Sequence, residues 1–221
     1  MHNITLIGTM HREAGACNIQ SFYQILEKIR PEVIFEELMP SDFDAHYLDK
    51  TRRQLETEAI NLYIQKYPVE HIPVDLDVLP PESFFKLHRQ MHERVEAVSF
   101  GYSSIIDTDA VDKRMYGFGY LNSAHFEKVN RNLENAIEQA LQIINEVELW
   151  EIHKSWNEHM KKRESTMVAN IYRYFEQKPF ETAVFYIGAA HRGAIKRLIQ
   201  DYEMAQKANL RWNYDRYEGI I

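Results

Sequence analysis

Short apolar, β-branched runs sit at the two ends of this chain, and a long middle stretch repeats at helical spacing. Asn3 to Gly8 predicts a first strand, followed by a polar, glycine-containing loop from Thr9 to Ala16. Asn18 stands where it can cap a helix. Ile19, Phe22, Ile25, Leu26 and Ile29 then share one face, and Pro31 stops the helix. Val33 to Leu38 predicts a second strand. Strand, helix and strand in such close succession form a βαβ unit, which makes the two strands parallel. His71 to Asp75 reads as a third short strand. Thr182 to Ala190 is the most apolar run and predicts a central strand buried on both faces. Ile195, Leu198, Ile199 and Tyr202 mark the helix after it, and Leu210 to Tyr214 reads as an edge strand.

From about residue 40 to about 180 the pattern is mostly helical. Ser41 and Asp44 suggest a capping pair for a helix running towards Tyr67. Glu82 to Val98 predicts another helix. Phe126, Val129, Leu133, Ile137, Leu141, Ile144 and Val147 mark a long amphipathic one, and Val168, Ile171, Tyr172 and Phe175 one more. Ser99 to Ser123, with three glycines among aromatics, reads as a loop or lid. The expectation is an α/β chain, with a mostly parallel central sheet flanked by helices. The helical insertion lies over the carboxyl edge of the strands, within a single domain spanning 1–221.

Composition narrows the function classes. Of 221 residues, 45% are hydrophobic, which excludes a disordered chain. Thirty-three acidic against 26 basic residues leave a net charge of −7, which argues against nucleic acid as a partner and against a strongly anionic substrate. One cysteine, Cys17, rules out an internal disulfide. No apolar run approaches the roughly 20 residues of a membrane span, and the first residues do not read as a signal peptide. A soluble cytoplasmic protein is expected.

Ligands of open parallel sheets bind beyond the carboxyl ends of the strands. Each predicted strand delivers a polar residue there: His11 after the first, Glu36 and Glu37 on the second, Asp75 on the third, His191 after the late one. The two histidines share a context, glycine then two residues then histidine. Glu36 and Glu37 are adjacent and point to opposite faces, so one of them faces the site.

The segments Ile4-Thr5-Leu6-Ile7-Gly8-Thr9-Met10-His11, Arg30-Pro31-Glu32-Val33-Ile34-Phe35-Glu36-Glu37-Leu38 and Phe185-Tyr186-Ile187-Gly188-Ala189-Ala190-His191 resemble the TraB/PrgY/GumN family, grouped with the Tiki metalloproteases, erythromycin esterases and ChaN-like haem-binding proteins. The resemblance covers the two ends of the chain, about a third of it. It makes Glu37 the family glutamate rather than Glu36. It matches Arg163, in Arg163-Glu164-Ser165-Thr166-Met167-Val168-Ala169, to an arginine that precedes a helix in the second half. Leu76 follows Asp75 where relatives often carry an arginine, so no role passes to Asp75.

The resemblance implies a hydrolase that activates water on a peptide, amide or ester, with catalytic His11, Glu37, His191 and Arg163. In the Tiki-like form, His11, Glu37 and His191 hold manganese, cobalt, zinc or iron. In the esterase-like form, one histidine oriented by the glutamate is the general base. Arg163 stabilises charge or binds substrate. A different class is a non-catalytic binder of haem or iron, or a protein that sequesters a peptide. Trp150, Trp156, Tyr116 and Tyr120 are candidates to line the pocket. His88 and His92, four apart on a helix, lack the HExxH pattern and read as a solvated face. Cys17, at a helix start near His11, is a minor candidate nucleophile. His46, His125, His153 and His159 read as surface or packing residues.

Overall fold

The computed structural model describes residues 2–206 and 210–214. Its five strands are β1 (His2–Thr9), β2 (Val33–Glu36), β3 (Glu70–Pro73), β4 (Thr182–Gly188) and β5 (Leu210–Asn213). They form one parallel sheet in the order β3-β2-β4-β1-β5. The apolar run of β4 takes the centre, and Ala183 to Ile187 are fully buried. Alternate residues feed two cores: Val184 and Tyr186 pack with α1 (Ile19–Ile29) and α3 (Leu55–Ile64), while Ala183, Phe185 and Ile187 pack with α7 (Val147–Gln177) and α8 (Arg192–Gln206).

β1, α1 and β2 form the expected parallel unit, with β4 inserted between its strands. The Asn18 side chain accepts from Ser21 N at 2.9 Å and caps α1. Arg30 closes that helix in the left-handed region, at φ 54°.

Three expectations about the middle of the chain are corrected. The helix from Ser41 towards Tyr67 is two helices, α2 (Phe43–Tyr47) after a 3-10 turn at Pro40–Asp42, and α3. The break carries Lys50 at φ 53°, a backbone state that no helix continues. The stretch from Ser99 to Ser123 is a helix, α5 (Phe100–Leu121), capped by Ser99 on Tyr102 N. Gly117 breaks its regularity at φ 56°, where a Cβ would meet the Ala16 carbonyl at 2.9 Å. Its glycines and aromatics hid the helix from a periodicity argument, and packing against α6 (Ala124–Ile144) overrides propensity. Asn145, at φ 54°, ends α6, so Val147 belongs to α7 instead.

α7 is 31 residues long. Met167, Val168, Ile171 and Tyr172 in its second half join the sheet core. Trp150 and Ile152, near its start, pack against a separate helical core of Met91, Val95, Tyr102, Ile137, Ala140 and Leu141, drawn from α4 (Glu82–Val98), α5 and α6. No helix among the described residues is long and apolar enough to cross a membrane.

Candidate active site

β1 and β4 are neighbours, with Thr9 opposite Gly188. The residues that come after them therefore leave the sheet at the same edge. A Cβ at Gly188 would come within 3.3 Å of Glu37 Oε2 and 3.6 Å of His191 Cδ2. Glycine here lets a carboxylate and an imidazole close in on the backbone. Gly8 is equally confined, and the buried Asn122 accepts from its N–H at 2.7 Å and donates to its carbonyl at 3.0 Å.

Glu37 is the hub of the site. Its side chain is buried, and Oε2 accepts from Gly188 N at 2.5 Å. Oε1 accepts from Arg163 Nη2 at 2.7 Å and lies 3.7 Å from His191 Nε2. Burial works against its charge, but His191, Arg163, His11 and the Gly188 N–H outweigh that and hold its pKa below the usual carboxylate range. Glu36 turns the other way. It is fully buried, takes hydroxyl hydrogen bonds from Tyr47 and Tyr186, and lies 2.8 Å from His71 Nδ1. Its role is structural.

Arg163 sits within α7 rather than ahead of a helix. Nε and Nη2 reach both oxygens of the buried Asp75 at 2.6 to 3.2 Å, while Nη2 also holds Glu37. Asp75 thus has a definite place, as the carboxylate that fixes the guanidinium. Among the described residues Nη1 has only the Met160 thioether, at 3.6 Å.

Each histidine has a glutamate of its own, and neither of these was singled out from sequence. His191 Nδ1 lies 2.7 Å from Glu164 Oε1. His11 Nδ1 lies 3.3 Å from Oε1 of the fully buried Glu56, which also accepts from Thr9 Oγ1 at 2.7 Å. The hydrogen bond with Glu56 is the main reason the His11 pKa is raised from 6.5 to about 9. The His191 pKa is also raised; burial opposes this, but Glu164 and Glu37 prevail. Glu164 stands next to Arg163 in sequence, which was a usable signal. Glu56, in the first turn of α3, left none.

His11, Glu37, Asp75 and Arg163 line a cavity of about 420 Å³. His191 stands one contact behind that lining, through Glu37, with its side chain 16% exposed. Trp156 and His159 also line the cavity; Trp150, Tyr116 and Tyr120 do not. Tyr116 is exposed, and Tyr120 is buried with its hydroxyl on Asp109, so the expectation that these two line the pocket is corrected. Cys17 is buried and burial pushes its thiol up to about 12, which removes it as a nucleophile. His88 and His92 are half-buried rather than solvated. Their Nε2 atoms lie 3.2 Å apart, and His88 stacks on Trp156 at 3.6 Å. His153 is a buried packing residue, and His46 is buried while also lining the cavity.

The residues do not fit a metal. Glu37, a ligand with His11 and His191 in the Tiki-like form and an orienter in the esterase-like one, has Arg163 on one oxygen and the Gly188 N–H on the other. A guanidinium fills the place of the cation. Among the described residues no group of three or more His, Cys, Asp or Glu side chains is placed to hold a metal ion.

Compared with family models, curated proteins and solved structures, the chain matches none.

Proposed function

We propose that this protein is a hydrolase that activates water on an ester or amide without a metal. The observation that carries the reading is the pairing of each histidine with its own buried glutamate, Glu56 or Glu164, around the shared Glu37–Arg163 contact. A glutamate on Nδ1 fixes the tautomer and leaves Nε2 for proton transfer.

The raised pKa of His11 keeps it protonated at neutral pH and makes it the proton donor. His191, whose protonation burial opposes although Glu164 and Glu37 raise its pKa, takes the acceptor's part. It takes a proton from water and the hydroxide adds to the carbonyl carbon. As the oxyanion collapses, the bond to the leaving group breaks and His11 gives that group its proton; solvent then carries the proton on His191 back to His11. Arg163, whose Nη1 holds no carboxylate among the described residues, stabilises the oxyanion. Glu37 and Asp75 hold Arg163 in place. The three segments that resemble the TraB/PrgY/GumN family agree with this reading, since the erythromycin esterases grouped with that family imply a metal-free form.

The test is hydrolysis of a panel of aryl esters and anilides by protein treated with a chelator, with His11→Gln and His191→Gln in parallel. Turnover that falls about 100-fold or more in both variants supports the reading. Turnover that appears only on adding manganese, cobalt, zinc or iron sinks it, as does tight haem binding with no hydrolysis.

A further inference from the structure

The cavity does not share the acidic excess of the chain. The sequence carries −7. Lining the cavity, however, are three guanidiniums, Arg52, Arg53 and Arg163, against three carboxylates, Glu37, Asp42 and Asp75, and His11 faces the buried Glu56. Every one of those carboxylates is taken. Arg52 Nη1 holds Asp42 Oδ2 at 2.6 Å, and Arg163 holds the other two. The remaining cation, Arg53, is exposed and has no carboxylate partner among the described residues. A net charge averages over the whole surface, whereas a ligand meets only the local field.

The rest of the lining is apolar. Leu76, Val78, Leu79 and Pro80 come from the segment between β3 and α4, Phe85 from α4 and Trp156 from α7. Val78 and Leu79 are 55% and 68% exposed. Covering them gains roughly 25 cal/mol per Å² of apolar surface removed from water. The volume of about 420 Å³ suits a small organic molecule.

We infer that the cavity takes a substrate that joins an apolar aromatic or acyl group to a carboxylate, the apolar group covering Val78 and Leu79 and the carboxylate pairing with Arg53. A guanidinium matches a carboxylate through two parallel hydrogen bonds, which an ammonium cannot reproduce. The inference rests on the hydrolytic reading for the bond that is cut, but not for binding.

Binding is therefore measured first, by calorimetry, with 4-phenylbutyrate and 4-phenylbutanol, which share a tail and differ in the carboxylate. The acid is expected to bind at least about tenfold more tightly, a difference of about 1.4 kcal/mol. Arg53→Ala removes that preference and Arg53→Lys restores part of it. Leu79→Asp weakens both ligands. Equal binding of acid and alcohol, or a preference that survives Arg53→Ala, overturns the inference. A second arm compares 4-nitrophenyl monoesters of a dicarboxylic acid and of a neutral acid of equal length. A lower KM for the anionic ester, reduced selectively by Arg53→Ala, supports both readings. Tight binding of the acid with no turnover of either ester supports the carboxylate site and overturns hydrolysis. Turnover with no preference for the anionic ester leaves hydrolysis standing and overturns the carboxylate site.

Discussion

Glu164 Oε1 lies 2.7 Å from Nδ1 of His191, one residue along α7 from the arginine that holds Glu37 and Asp75. Successive helix residues point about 100° apart. α7 can therefore reach two groups of the site at once because Glu37 and His191 are themselves neighbours. In the proposed reaction this one helix supplies both the orienting carboxylate and the stabilising cation.

Glu164→Gln removes the charge that helps raise the His191 pKa. With His191 as the proton acceptor, the acidic limb of the kcat profile moves to lower pH, and kcat falls by roughly 10². A pH–rate profile on any ester that is turned over checks this. An unshifted acidic limb removes His191 from the role of base.

Arg163→Ala leaves the buried Glu37 and Asp75 carboxylates facing each other without their cation. Removing one partner of such a cluster costs about 3–5 kcal/mol. Arg163→Lys keeps a charge but loses the fork, so it recovers part of the stability and little of the rate. Urea unfolding and kcat, measured on the same samples, separate the two effects. Equal stability of wild type and Arg163→Ala contradicts the ion cluster.

The His11 pKa is higher in the folded protein than its ordinary 6.5, so its proton is bound more tightly in the folded state. That contribution to stability is complete below about 6.5 and is lost as pH rises through about 9. His11 is 48% exposed, so the effect is modest. Stability of the wild type should decline across this window more than that of His11→Ala. Parallel curves from pH 6 to 10 contradict the pairing with Glu56.

Cys17 is fully buried and burial pushes its thiol up to about 12, so it should resist alkylation in the folded protein and react promptly on unfolding. Mass spectrometry after treatment with iodoacetamide reads this directly. Rapid labelling of native protein indicates an open helix start at Asn18.

The edge of the sheet is legible in the amino-acid sequence. His11, Glu37, Asp75 and His191 each come after a short apolar run, and parallel strands deliver the residues at their exits to one side. The alternation of the strand also separates Glu37 from Glu36. Local spacing suffices for these, because a strand and its exit are defined by a handful of consecutive residues. The split between α2 and α3 is not legible, since it depends on a left-handed Lys50 that has no strong sequence signature. Nor is the helix from Phe100 to Leu121, whose stability comes from its neighbours.

Sequence alone thus determined the strands, their parallel arrangement and the edge at which four polar residues gather. Tertiary structure alone decided how those residues are paired. It placed Glu56 on His11, Glu164 on His191 and Arg163 between Glu37 and Asp75. His191 and Glu164 are 27 positions apart, and Arg163 and Glu37 are 126 apart. Such contacts depend on how α3 and α7 dock against the sheet, and docking comes from the packing of whole faces rather than from the spacing of any one motif.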